Sequence, residues 1–302
     1  MSSTEQHATM TVYLLGTGGP EFTVSRTGIS TLIAAGDSHF LFDTGRGTAQ
    51  RIYECQIPFS SIDKVFYTHL HSDHIEGLPN LWMSPWFLVK KFNPLSIYGP
   101  VGTKAMTDGM LQMFGKDYRD RSNDLFKQSY LQMDVHEFSR EGVVYDDGAV
   151  RITAYPVEHA DGNPAYGYCV EYQGFKVILS GDTTYHDNTV TYGKGSDLIV
   201  HNVIGIPPEL TEDYMPVIRK LTTPEQAAEI FNRTAPRMAV FSHICKKKMT
   251  GTKGDDEILN RVRKAGYSGP LAMGRDRMKI IIDQEQVTVI EPGSIDDLED
   301  LQ

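Results

Sequence analysis

The chain has 302 residues, with 29 Lys+Arg against 39 Asp+Glu, for a formal net charge of −10. Hydrophobic residues make up 40% and charged residues 23%, an ordinary globular composition with enough length to bury a substantial core. No apolar run approaches the roughly 20 residues of a membrane helix, and an acidic chain is a poor general binder of nucleic acid, whose phosphates call for Lys and Arg.

In chain order, short β-rich runs bounded by Gly, Asp or Ser predict strands at 11–15, 29–34, 39–42 and 64–68. Helices are predicted at 47–55, 75–89 and 103–114. Residues 115–140 are charged and weakly periodic, and read as an insertion or lid. A second strand series is expected at 150–157, 166–171, 176–179 and 198–203, then at 238–241, 278–282 and 287–290. Helices at 223–234 and 255–265 open on strong start signals, Thr223-Pro224-Glu225-Gln226 and the acidic run Asp255-Asp256-Glu257. Two rounds of strands then helices suggest an α/β sandwich of two similar halves rather than alternating βαβ units. With no linker dividing it, the chain reads as a single domain over 1–302, its core at about 11–283 and an acidic, solvated tail at 294–302.

Three cysteines without a CxxC pair, Cys55, Cys169 and Cys245, argue against a disulfide framework or a thiolate zinc site. The polar start MSSTEQHATM lacks a signal-peptide pattern, so the expected location is cytoplasmic.

Of ten histidines, three fall within Thr68-His69-Leu70-His71-Ser72-Asp73-His74, between a predicted strand and a predicted helix. While the backbone is extended, His69 and His71 point to one side. As it turns into the helix, Asp73 and His74 swing toward a neighbouring point. Four ligand-type side chains thus converge locally, and His and carboxylate donors suit zinc and related divalent ions.

This HxHxDH pattern resembles the metallo-β-lactamase superfamily of dinuclear metallohydrolases, and further landmarks match in order. Gly16-Thr17-Gly18-Gly19-Pro20 resembles the superfamily's opening Gly turn; Pro20 and a following strand distinguish it from a dinucleotide fingerprint. Asp43 in Leu41-Phe42-Asp43-Thr44-Gly45 resembles its Asp-containing strand end, and is expected to hydrogen-bond the ligand loop rather than a metal. His159, Asp182 in Gly181-Asp182-Thr183, and His243 match its remaining ligands. The resemblance implies an αββα four-layer sandwich, classed α/β (α+β). It implies that His69, His71 and His159 hold one metal, that Asp73, His74 and His243 hold the other, and that Asp182 bridges them. Two zinc ions are the implied cofactors, with manganese or iron as alternatives. They would share a hydroxide as nucleophile, oriented or deprotonated by Asp73 as catalytic residue.

Order and spacing most resemble the ribonuclease Z and arylsulfatase-like branch. Thr222-Thr223-Pro224 resembles a segment that opens with His-Ser-Thr in ribonuclease Z, but Leu221 stands where that histidine would be. The His-Glu-Ala-Thr element reads His201-Asn202-Val203-Ile204, keeping His and losing Glu. These departures, with the charge of −10, rank tRNA 3′-end cleavage below cleavage of a small aryl sulfate or phosphodiester. His201 is taken as the candidate proton-delivery residue. Trp86, one helical turn from Trp82, is a candidate for an aromatic-ester pocket, with Pro85 expected to kink that helix. Lys246, Lys247 and Lys248 are a candidate collar for an anionic substrate. A lactonase or β-lactamase, a mononuclear iron persulfide dioxygenase and a non-catalytic interaction module remain as other readings. Natural substrate and oligomeric state stay open, a homodimer included, and no membrane partner is expected.

Overall fold

The computed structural model describes residues 9–84, 94–122 and 132–294. Among these residues, fifteen strands fall into two sheets. Sheet A contains β1 (Met10–Gly16), β2 (Ser30–Ala35), β3 (Ser38–Phe42), β4 (Lys64–Phe66), β5 (Leu95–Pro100), β6 (Met133–Phe138), β14 (Met278–Ile282) and β15 (Val287–Ile290), in the order β15-β14-β1-β2-β3-β4-β5-β6. Sheet B contains β7 (Gly142–Asp146), β8 (Val150–Val157), β9 (Ala165–Tyr172), β10 (Phe175–Leu179), β11 (Leu198–Gly205), β12 (Met238–Lys246) and β13 (Leu271–Met273), in the order β13-β12-β11-β10-β9-β8-β7.

Strand alternation sorts side chains into three apolar layers. Val12, Phe40, Phe42 and Phe66 of sheet A meet Ile152, Tyr168, Val177 and Val200 of sheet B in the central core. On the outer face of sheet A, Leu32, Leu41 and Val65 pack with residues of helices α1 (Thr48–Glu54), α2 (Ser72–Ile75), α3 (Leu78–Met83) and α4 (Thr103–Met113). On the outer face of sheet B, Ile178, Ile199 and Ala239 receive α6 (Asp187–Gly193), α8 (Pro224–Thr234) and α9 (Gly251–Lys264) through residues such as Val190, Phe231 and Ile258. The result is the expected helix–sheet–sheet–helix sandwich. Among the described residues, no helix is long and apolar enough to cross a membrane.

Several expectations need correction. Segment 115–140 is partly built into the frame: α5 (Gly115–Arg121) is followed by β6, which pairs in parallel with β5 from Leu95↔Met133 to Pro100↔Phe138. An edge strand lies largely in solvent on both faces, so its sequence MDVHEF carries little apolar alternation. The helix expected at 75–89 is broken at Gly77 into α2 and α3. Residues 85–93, with Pro85 and Trp86, lie outside the described residues, as do 123–131 and the tail from 295. Helix α9 begins at Gly251, one turn before the predicted start, and β15 extends sheet A beyond 283. The start signal at Thr223 is realised as a capping box, with Gln226 N donating to the Thr223 hydroxyl and Gln226 Oε1 accepting from Thr223 N.

Candidate metal centre

The chemistry-bearing residues gather where strands of both sheets end. After β4 the chain bends at Thr68, His71 is extended, and α2 starts at Ser72. His69 and His71 therefore precede the helix, while Asp73 and His74 lie in its first turn. From sheet B, His159 follows β8, Asp182 follows β10 and His243 sits within β12. Tyr166 N donates to Thr68 O at 2.9 Å, tying the two sheets together beside the cluster.

Local backbone features aim these side chains. In the parallel pair β11–β12, His201 opposes Phe241 and Val203 opposes Ile244, so Ser242 and His243 together face Asn202. This bulge places His243 at φ 44°, a sparsely populated conformation for a non-glycine residue. Gly181, at φ +61°, makes the turn before Asp182; a Cβ there would lie 2.5 Å from the Tyr166 carbonyl oxygen. Asn202 then fixes the Asp182 loop: its Nδ2 donates to Gly181 O and Thr183 O, each at 3.0 Å, and its Oδ1 accepts from Thr222 N at 2.9 Å.

Three triads have donor atoms within 4.8 Å of one another: His69–His71–His159, His69–His74–Asp182 and Asp73–His74–His243. Asp182 Oδ2 lies 3.1 Å from His243 Nε2, 3.5 Å from His74 Nε2 and 3.8 Å from His159 Nε2, between the two outer triads. His159 Nε2 lies 3.2 Å from His71 Nδ1, and Asp73 Oδ2 lies 3.3 Å from His243 Nε2. Nearly all of these groups are buried, His71 being half-buried. His69 Nε2, His74 Nε2 and Asp182 Oδ1 are buried without hydrogen-bond partners. Orphaned buried acceptors facing one another are unfavourable unless a cation fills the space between them. The donor set fits divalent metal ions.

Outer contacts orient the rings, as metal-binding histidines require. Asp43 Oδ1 accepts from Thr68 N at 2.9 Å; Asp43 Oδ2 accepts from the Thr68 hydroxyl at 2.9 Å and from His74 Nδ1 at 2.8 Å. His159 Nδ1 donates to Lys220 O at 2.7 Å, and His243 Nδ1 lies 3.8 Å from Cys245 Sγ.

Electrostatics follow the same geometry. Burial pushes the imidazolium forms of His69 and His71 down, and neighbouring histidines push further the same way. Burial also opposes charge on His74, but Asp43 and Asp182 more than offset it and raise this group to about 10. His243 is likewise raised against burial by Asp182 and Cys245. Burial alone would raise Asp73 and Asp182, yet the histidines beside them hold both below the ordinary carboxylate range.

A cleft of about 250 Å³ opens onto the cluster, with His71, Asp73, His159, Asp182 and His243 on its floor. Lys220, Leu221 and Lys247 line its wall. Of the expected collar, only Lys247 faces this cleft. Lys246 Nζ instead bonds Asp255 at 2.7 Å and Gly251 O at 2.9 Å, and Lys248 is exposed at the surface. His201, expected to deliver a proton, lies apart from the cleft. Its Nδ1 donates to Asn202 O at 2.9 Å, its ring lies edge-on to Phe231 in the helical layer at 5.9 Å, and it does not line the cleft. Burial lowers His201 to about 4; it lines a small interior cavity beside His74, Asp182 and His243 and not the open cleft. Trp82 is buried in the outer core, with Tyr118 6.5 Å away ring to ring. The sequence reading missed Lys220 and the anchoring role of Asn202, neither of which belongs to a ligand motif.

Fold and site together define a metallo-hydrolase of the metallo-β-lactamase fold. Residues 10–207 match the family model described as anti-Pycsar protein Apyc1. Ribonuclease Z of Mycobacterium marinum (strain ATCC BAA-535 / M) is 36% identical over 280 residues, covering 89% of this chain and 97% of that protein. Among solved structures, the metallo-β-lactamase-fold protein YhfI of Bacillus subtilis aligns with TM-score 0.67 and 17% identity, and the short form of human tRNase Z with TM-score 0.67 and 22% identity. Each of these two alignments covers 89% of this chain and 98% of the other. Within that fold, the chain belongs to the ribonuclease Z and Apyc1 family.

Proposed function

We propose that this protein is a metal-dependent phosphodiesterase and that RNA is its substrate, cleaved as by ribonuclease Z. The observation that carries the reading is the pair of His/Asp triads joined by Asp182 at the floor of an open cleft. The kinship with ribonuclease Z over nearly its full length favours phosphodiester bonds over the aryl sulfates expected from the sequence. His69, His71 and His159 would hold one ion and Asp73, His74 and His243 the other, with Asp182 contributing to both. Zinc suits this donor set, with manganese as the alternative. When bound, such ions lower the pKa of water and offset charge on the ester oxygens. The chain's own contribution is orientation and proton handling. Asp73, in the cleft floor, accepts the proton of the attacking water and fixes its direction. Asp43 and the Lys220 carbonyl hold His74 and His159 in single ring orientations.

A second reading, cleavage of a small phosphodiester, is favoured by the cleft itself. Its volume is about 250 Å³, and Leu221, where ribonuclease Z resemblance calls for histidine, is in its wall. One panel separates these readings: a precursor RNA with a 3′ trailer, a chromogenic phosphodiester, an aryl sulfate and a lactone, each assayed with zinc and with manganese. Cleavage of the precursor at one phosphodiester supports the first reading. Turnover of only the small diester supports the second, and turnover of only the sulfate or lactone overturns both.

A further inference from the structure

Lys220, just beyond α7 (Met215–Ile218), and Lys247, just beyond β12, enter the same cleft wall from separate parts of the fold. Lys220 Nζ approaches Asp161 at 2.6–2.8 Å, and Lys247 Nζ pairs with Glu21. In both pairs the lysine is the inner member. Side-chain exposure is 32% for Lys220 against 69% for Asp161, and 22% for Lys247 against 41% for Glu21. Both lysines line the cleft, as does Glu21, whereas Asp161 is not among its lining residues. The position of Lys220 is fixed relative to the metal-ligand floor, because its carbonyl accepts from His159 Nδ1. Lys246, one residue from Lys247, is committed to Asp255 and Gly251 away from the cleft, so the lysine run presents one cation to the site.

We propose that Lys220 and Lys247 form a two-lysine clamp for phosphate oxyanions, exchanging Asp161 and Glu21 for substrate oxygens as it enters. The proposal rests on the phosphodiesterase reading and names the groups that recognise the non-bridging oxygens. An oxyanion offers an ammonium the same charge-assisted bond as a carboxylate, while the more exposed carboxylates turn into water with little loss.

The test uses the metal-loaded protein, the variants Lys220→Gln, Lys247→Gln and Glu21→Gln, and inorganic phosphate as probe. Each lysine variant should weaken phosphate binding in calorimetry by about tenfold, the scale of one hydrogen bond to a charged group. KM for a phosphodiester should rise by a similar factor, with kcat, metal content and thermal midpoint unchanged. Lys247→Arg should restore binding, and Glu21→Gln should tighten it by releasing its lysine. Phosphate affinity unchanged in both lysine variants overturns the clamp, as does Glu21→Gln weakening binding as much as Lys247→Gln. Phosphate binding that depends on the lysines in a protein unable to cleave phosphodiesters would instead overturn the phosphodiesterase reading and leave the clamp standing.

Discussion

Asp43 does not line the open cleft yet holds three groups of the ligand loop, and Asp43→Asn tests how much that support contributes. The backbone tolerates the change: Asp43 sits at φ 56°, a region asparagine enters readily. The introduced amide would keep its oxygen for Thr68 N, now 2.9 Å from Asp43 Oδ1. Its NH2 would occupy the place of Oδ2, which accepts from His74 Nδ1 at 2.8 Å, so a donor would face a donor. His74 must then lose that bond or move its proton to Nε2, the nitrogen turned toward Asp182. Loss of one buried bond to a charged acceptor costs about 1.5–3 kcal/mol of stability. The other outcome blocks the metal-facing lone pair, and loss of such an orienting contact lowers metal affinity by about 10–100-fold. Urea unfolding of the metal-free protein reads the first effect, and zinc competition against a chromophoric chelator reads the second. Stability within about 0.5 kcal/mol of the parent, together with unchanged zinc affinity, would refute the reasoning.

Replacing His71 or Asp182 by alanine should abolish turnover and reduce bound metal, which elemental analysis of the purified variants would measure; a full metal complement would contradict the ligand assignment. His201 should make stability pH-dependent. Its ordinary value is about 6.5 and burial holds it near 4 in the folded protein, so the unfolded chain takes up the proton first as pH falls. The contribution is complete above pH 6.5 and lost toward pH 4, about 3 kcal/mol in all, and a His201→Gln variant should lack this slope. Parallel unfolding midpoints for parent and variant between pH 7 and pH 4 would exclude it. Gly77→Ala should destabilise by at least about 2 kcal/mol, because a Cβ there would lie 2.3 Å from the Gly45 carbonyl oxygen. Thermal melts reveal this directly, and an unchanged midpoint would contradict the close approach.

Legibility in the sequence tracks how local each signal is. His69, His71, Asp73 and His74 share one strand-to-helix junction, so their spacing alone predicts convergence. Buried strands such as β10 and β11 are dense in Val, Ile and Leu and stand out for the same reason. Strands β6 and β7 lie at sheet edges and are largely solvated, which removes the apolar pattern that would announce them. Helix α6, with sequence DNTVTYG, is built from weak helix formers and is held by packing against sheet B. Lys220 reaches the cleft only because the chain returns to His159, a contact across 61 residues that no local pattern encodes. His201 illustrates the reverse. Its residue type suggested chemistry, but the alternation of β11 turns its ring toward Phe231.

The division of the ligand set between the sheets has a consequence for how the protein comes to be active. His69, His71, Asp73 and His74 follow a strand of sheet A, whereas His159, Asp182 and His243 come from sheet B, and Asp73 meets His243 across 170 residues. The first half of the chain can therefore offer a metal only the cluster near β4, an incomplete and exposed set. Closure of the long loop to β12 is slow relative to local structure, so the finished centre arises late in folding. An ion held by this set would join one sheet to the other, and unfolding would have to release it before the sandwich opened. With a metal bound, competence for catalysis and resistance to unfolding would be gained in the same final step.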